Sequence, residues 1–238
     1  MDNVEEFLVR RPPTALRPLL GMTLLVVEDS RFACEAVRML CMRSGARVRR
    51  ADSLTSAMKH LSIYRPTAII VDVGLPDGSG LTLIRQLAQA TPRIDVILGT
   101  SGDPDMADDV IAAGGDGFLP KPIASLSDFQ HAILSHLPAN RQPQGPRMLS
   151  GEQVAPDRIA YREDLEYAAR VLKQDQGGDT LDYVAGFIIG IADSAGDTDL
   201  ACMANRLIRD RRRGGATDGP LNSLTDMVTA RLKTASGF

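Results

Sequence analysis

The chain has 238 residues, 44% hydrophobic and 24% charged, with a formal net charge of −3. This balance describes folded protein with material for two modest cores, and it excludes a disordered chain or a uniformly basic nucleic-acid binder. No stretch approaches the roughly 18 consecutive apolar residues of a membrane span, and the start MDNVEEF is acidic where a signal peptide is basic, so a cytoplasmic protein without membrane contact is expected.

Residues 1–20 read as an N-terminal arm, in which Val4, Phe7 and Leu8 form one apolar turn before Arg10-Arg11-Pro12-Pro13 stops it. From residue 21 to 138 strand-like and helix-like segments alternate. Strands are expected at 22–27, 47–51, 68–72, 94–99 and 117–119, and helices at about 31–44, 54–64, 79–90, 105–113 and 125–137. Short β-rich runs separated by helix-length segments predict a parallel sheet built from βαβ units. Cys34 and Cys41 lie on one face of the first helix and read as buried thiols; with Cys202 they offer no metal-ligand spacing.

Polar residues stand at the ends of four apolar runs. Leu24-Leu25-Val26-Val27 leads into Glu28-Asp29, Ala68-Ile69-Ile70-Val71 into Asp72, Val96-Ile97-Leu98 into Thr100-Ser101, and Gly117-Phe118-Leu119 into Lys121-Pro122. In open parallel sheets ligands sit outside the carboxyl ends of the strands, so these distant residues are expected to converge there. Together they outline a pocket for a divalent cation and a phosphoryl group.

The strings VVEDS at 26–30, VDVGLPDGSG at 71–80, GTSG at 99–102 and GGDGFLPKP at 114–122 resemble, in order and spacing, the receiver domain of bacterial two-component response regulators. The resemblance covers about half the chain. It implies a CheY-like, flavodoxin-like domain, α/β with a five-stranded doubly wound parallel sheet. By the same resemblance Asp72 is the phosphoacceptor, with Thr100 and Lys121 assisting the transfer. The resemblance also implies Mg²⁺ or Mn²⁺ held by Glu28, Asp29, Asp72 and the carbonyl of Gly74, oxygen ligands suited to a hard cation. Thr100 and Phe118 form the switch, and the Lys121-Pro122 peptide matches one that is often cis in the family. Glycine at 74 and 102 leaves little bulk to shield an aspartyl phosphate, which is expected to hydrolyse readily. The family's salt-bridged receiver dimer needs cations on the last helix, where SLSDFQHAILSHL offers only His131 and His136 opposite Asp105, Asp108 and Asp109.

Residues 139–157 read as a linker, or a connector partly docked on a neighbouring domain, since PANRQPQGPRMLSGEQVAP carries four prolines from residue 138 on and no apolar periodicity. Residues 158–238 then show four amphipathic patterns and read as a small all-helical output or interaction domain. Ile159, Leu165, Ala168, Ala169 and Leu172 mark the first helix, Val184, Phe187, Ile188 and Ile191 the second, Leu200, Met203, Ala204, Leu207 and Ile208 the third, and Leu221, Leu224, Val228 and Leu232 the fourth. Asp179 and Asp197 stand at expected N-caps, and Gly186 and Gly190 would let another helix approach, most simply inside the same domain.

The functional expectation is a phosphorylation-dependent response regulator of a two-component system or phosphorelay. Its donor is a sensor histidine kinase or a histidine phosphotransfer protein, and its output is protein interaction or homodimerisation. It is not expected to be an enzyme beyond hydrolysis of its own acyl phosphate. The alternative is a DNA-binding transcriptional regulator: the helix from Asp199 runs into Arg206, Arg209, Arg211, Arg212 and Arg213. Against it, residues 150–238 hold 11 Lys and Arg and 14 Asp and Glu. The helical region lacks the histidine of a phosphotransfer domain, because His60, His131 and His136 all precede the linker.

Overall fold

Alternation along each strand decides which layer a side chain joins. The computed structural model describes residues 13–138, 141–143, 151–155, 157–174 and 177–234. The expected turn around Val4, Phe7 and Leu8 lies outside them. In chain order the elements are β1 (Thr23–Val27), α1 (Arg31–Ser44), β2 (Arg47–Ala51), α2 (Leu54–Ile63), β3 (Ala68–Asp72), β4 (Gly74–Leu75), β5 (Gly78–Ser79), α3 (Gly80–Ala88), β6 (Val96–Ser101), α4 (Met106–Ala112), β7 (Gly117–Pro120) and α5 (Leu126–Leu134). Strands β2-β1-β3-β6-β7 form one parallel sheet in that order, and β4-β5 is a small antiparallel ribbon. This is the expected doubly wound five-stranded sheet.

Leu24, Val26, Ala68, Ile70, Val96 and Leu98 face one layer, where they pack with Val37, Leu40, Phe129 and Ile133 of α1 and α5. Leu25, Val27, Ile69, Val71 and Ile97 face the other, against Ala57, Leu83, Ile84 and Val110 of α2, α3 and α4. Serines open several helices: the side chains of Ser30, Ser53, Ser79 and Ser125 accept amide hydrogen bonds at the starts of α1, α2, α3 and α5. Helix α1 stops at Gly45, whose φ of +84° suits glycine. Cys34 is half-buried and Cys41 buried, and burial pushes the Cys41 thiol up to about 12.

One strand boundary matters for the site. The strand expected at 94–99 is observed as Val96–Ser101, because pairing with β3 continues to Asp72–Thr100 and pairing with β7 continues to Ser101–Pro120. Thr100 and Ser101 are therefore held in the ladder rather than in the following loop.

The connector is docked where it is described. Leu126 N donates to Glu152 O at 3.1 Å, Val154 N donates to Ala124 O at 2.9 Å, and Val154 enters the layer of α1 and α5. Four helices follow: α6 (Arg158–Gln174), α7 (Gly178–Ala195), α8 (Thr198–Arg212) and α9 (Asp218–Thr234). Leu165, Leu172, Val184, Ile188, Leu207, Leu224 and Val228 fill a separate core between them.

Asp197 caps α8, accepting from Leu200 N at 3.2 Å, and also receives Arg231 Nε at 2.8 Å, which ties α9 to the same corner. Asp179 is no cap: α7 starts after Gly177, and Asp179 lies in the first turn, where its charge favours the helix dipole. Asp197→Ala should lower the stability of the helical region by about 1–2 kcal/mol. Denaturant unfolding followed by a probe in α8 checks this; an unchanged midpoint would mean the cap contributes nothing.

Candidate functional site

Register brings the polar strand ends together: Asp72 lies beside Thr100, and Thr100 beside Leu119, two residues before Lys121. Asp72 is buried at the end of β3. Gly80 lets the following loop fold back over that end, because a Cβ there would stand 2.0 Å from Asp72 O. Asp77 pins the loop from the far side by accepting from Leu54 N and Thr55 N at the start of α2.

Lys121 Nζ reaches Glu28 Oε2 at 2.7 Å and Asp72 Oδ2 at 2.8 Å, and its side chain is only 7% exposed. The Lys121-Pro122 peptide is cis. Burial alone would depress the ammonium, but the Asp72 and Glu28 carboxylates outweigh it and hold Lys121 above its ordinary value. Burial raises Glu28 well above the carboxylate range; Lys121 opposes this, and repulsion from Asp72 and Asp29 adds to it. Gly74 N points at Asp72 Oδ1 across 3.3 Å.

Glu28, Asp29 and Asp72 each present a carboxylate oxygen within 4.8 Å of the others. Three hard oxygens fit Mg²⁺, which takes few protein ligands and keeps several waters. Of the remaining expected residues, Gly74 opens β4, two residues past Asp72. Thr100 donates its hydroxyl to Leu119 O at 2.7 Å rather than into the pocket, and Phe118 is half-buried at the edge of the α2–α4 layer.

The helical region closes over this pocket, which the sequence did not foreshadow. From α6, the buried Asp164 accepts Ser30 Oγ at 2.7 Å, Arg31 N at 3.0 Å and Phe32 N at 3.0 Å, crowning the start of α1. From α7, the Tyr183 hydroxyl donates to Asp29 Oδ2. Phe32 and Tyr161 pack ring to ring at 5.6 Å. Burial pushes Asp29 up to about 6 against the lowering effect of the Tyr183 hydrogen bond, with repulsion from Asp72 adding to the rise. A divalent cation held there would need the ionised form, so its affinity should fall about tenfold per pH unit below about 6 for the proton displaced from Asp29. Calorimetric titration at pH 5, 6 and 7 checks this, a flat profile being the contrary result.

Gly186 and Gly190 are not contacts inside the bundle. A Cβ at either meets nothing within 4 Å, and both line a cavity of about 560 Å³ whose floor holds Glu28, Asp29, Asp72 and Lys121. Gly190 Cα stands 3.8 Å from the place a Cβ on Gly102 would take, so α7 covers the edge that the small residue was expected to leave open. Asp164 did leave a trace in the sequence: an acid next to Leu165 and four before Ala168 interrupts the apolar stripe of its helix. Tyr183 left none, since an aromatic next to Val184 reads as core.

The fold and site together define a doubly wound α/β domain with a buried lysine between two carboxylates at the carboxyl edge of its sheet. Residues 24–133 match the family model described as response regulator receiver domain. Over these residues the chain is thus similar to response regulator receiver domains. The chain is 35% identical over 106 residues to the probable transcriptional regulatory protein TcrX of Mycobacterium tuberculosis, covering 43% of this chain and 44% of that one. It is 32% identical over 98 residues to the KDP operon transcriptional regulatory protein KdpE of Escherichia coli, covering 41% and 44%. Among solved structures, a CheY-like receiver domain from Methylobacillus flagellatus is 29% identical and covers 47% of this chain and 98% of that one, with a TM-score of 0.42. The chain therefore spans less than half the length of these two curated relatives. No described helix is long and apolar enough to cross a membrane.

Proposed function

We propose that the chain is a phosphorylation-dependent response regulator that takes a phosphoryl group on Asp72 and signals through its helical region. The observation that carries the reading is the contact of Lys121 Nζ with both Asp72 and Glu28, in a pocket where three carboxylates converge. An oxygen of Asp72 attacks phosphorus as the P–N bond of a donor phosphohistidine breaks, and the leaving imidazole nitrogen keeps the electron pair and takes up a proton. Such transfers depend chiefly on positioning and electrostatics. Lys121 stays beside the acceptor to bind a phosphoryl oxygen. Thr100 releases Leu119 O and turns its hydroxyl to another phosphoryl oxygen, and Phe118 follows it inward. Mg²⁺ or Mn²⁺, held by Glu28, Asp29, Asp72 and the carbonyl of Gly74, supplies charge neutralisation when bound.

The donor class is the phosphohistidine of a sensor histidine kinase or a histidine phosphotransfer protein. No turnover beyond hydrolysis of the chain's own acyl phosphate is assigned. Output through a protein partner or a second copy fits the helical region better than DNA binding, because its arginine run is partly committed: Arg211 pairs with Asp182 at 2.7 Å, and Arg209 and Arg212 line the interdomain cavity. Incubation with acetyl phosphate and Mg²⁺ tests the acceptor reading. One base-labile phosphoryl group per chain, not incorporated when the cation is chelated beforehand, is expected; no incorporation over the stability range of the protein would refute it.

A further inference from the structure

Resting on the acceptor reading of Asp72, the geometry points to a second, interdomain binding site for the phosphoryl group: Arg209 and Arg212 of α8 clasp the aspartyl phosphate from the helical side of the cavity. Asn205, Arg209 and Arg212 fall at i, i+4 and i+7 on α8 and line the same cavity as Asp72, Gly74, Ser101 and Lys121. The other arginines of the helix are engaged elsewhere, Arg206 with Asp210 and Arg211 with Asp182. Among the described residues, Arg209 and Arg212 form no ion pair.

Two unpaired guanidiniums therefore border a chamber whose floor is acidic. Of the acids on the helical wall, Asp182 is bonded to Arg211, and Asp193 is the other acid that lines it. The chamber is large enough for a phosphoryl group, a hydrated cation and an arginine side chain together. Guanidinium matches phosphate oxygens with paired, charge-assisted hydrogen bonds, so a phosphoryl group at Asp72 supplies the anion these side chains lack. The roof is already fixed in place by Asp164 on α1 and Tyr183 on Asp29, so little ordering remains to be done on α8.

The consequence is positive coupling. A phosphorylated receiver holds the helical region more tightly, and the clasp shields the acyl phosphate from water despite the glycines at 74 and 102. By reciprocity, removing the arginines weakens loading by the factor that loading strengthens docking.

Beryllofluoride with Mg²⁺, titrated into the full chain, tests this with two readouts. Fluorine NMR counts bound beryllofluoride, and hydrogen exchange reports on residues 198–212. In the wild type, loading should slow exchange in α8. In the Arg209→Ala/Arg212→Ala double variant, beryllofluoride affinity should drop by about tenfold for each guanidinium removed, and loading should no longer protect α8. Arg206→Ala, on another face, should behave as wild type, and Arg209→Lys/Arg212→Lys should recover part of the affinity. Loading of both wild type and double variant with equal affinity, or faster exchange in loaded α8, would overturn the clasp while leaving the acceptor reading intact. A wild type that binds no beryllofluoride would remove the acceptor reading and the clasp with it.

Discussion

Asp72→Asn should abolish phosphoryl uptake from acetyl phosphate, to below detection by mass spectrometry of the intact chain. The amide keeps the size of the side chain and its carbonyl oxygen can still accept from Lys121 Nζ, so the fold and the pocket survive. What is lost is the anionic nucleophile, and an uncharged amide does not attack phosphorus at a useful rate. Glu28 and Asp29 remain in the variant, each with a competing engagement: Glu28 receives Lys121 at 2.7 Å and Ser30 N at 3.1 Å, and Asp29 receives Tyr183. Retention of uptake near the wild-type rate in the variant would reassign the acceptor to one of these neighbours.

Lys121→Met should slow uptake by about 10²–10³, the usual effect of deleting one preorganised electrostatic partner of a developing anion. It should also change stability in a pH-dependent way. Methionine fills much the same volume but leaves Glu28 and Asp72 buried without their cation, at a cost of about 3–5 kcal/mol near neutral pH. Glu28 is held above its ordinary value in the folded chain, so the folded state binds the extra proton more readily than the unfolded state and gains stability as pH falls. The deficit of Lys121→Met relative to wild type should shrink as pH drops from neutrality, and Mg²⁺ should restore more stability to the variant than to the wild type. Denaturant titrations at several pH values with and without Mg²⁺ check both; a deficit independent of pH would mean the lysine contributes packing alone.

The receiver half was legible because its chemistry is local to strand ends. Each apolar run ends in the residue that parallel pairing brings to the common edge, so Asp72, Thr100 and Lys121 could be placed before the sheet was seen. The extent of β6 was less legible: Thr100 and Ser101 are polar residues of modest strand preference, held in the ladder by neighbours on both sides. The helical half was legible as four helices because each carries an apolar stripe, but not in how it sits. That depends on single polar contacts between residues far apart in sequence, Asp164 to Ser30 and Tyr183 to Asp29; Asp164 shows only as a break in an apolar stripe and Tyr183 not at all, and neither names its partner. The glycines at 186 and 190 show the same limit. Their spacing suggests a close helix approach, but the fold leaves open space at both, on the wall of the cavity over the receiver pocket.

The most direct test of the central claim is borohydride reduction of the chain after exposure to acetyl phosphate and Mg²⁺, followed by peptide mapping. Reduction converts an aspartyl phosphate to homoserine and leaves free carboxylates untouched. The account predicts this conversion at Asp72 alone, dependent on both donor and cation. Homoserine at Asp29 or hydroxynorvaline at Glu28 instead, or no reduced residue in a chain that retains its fold, would contradict it.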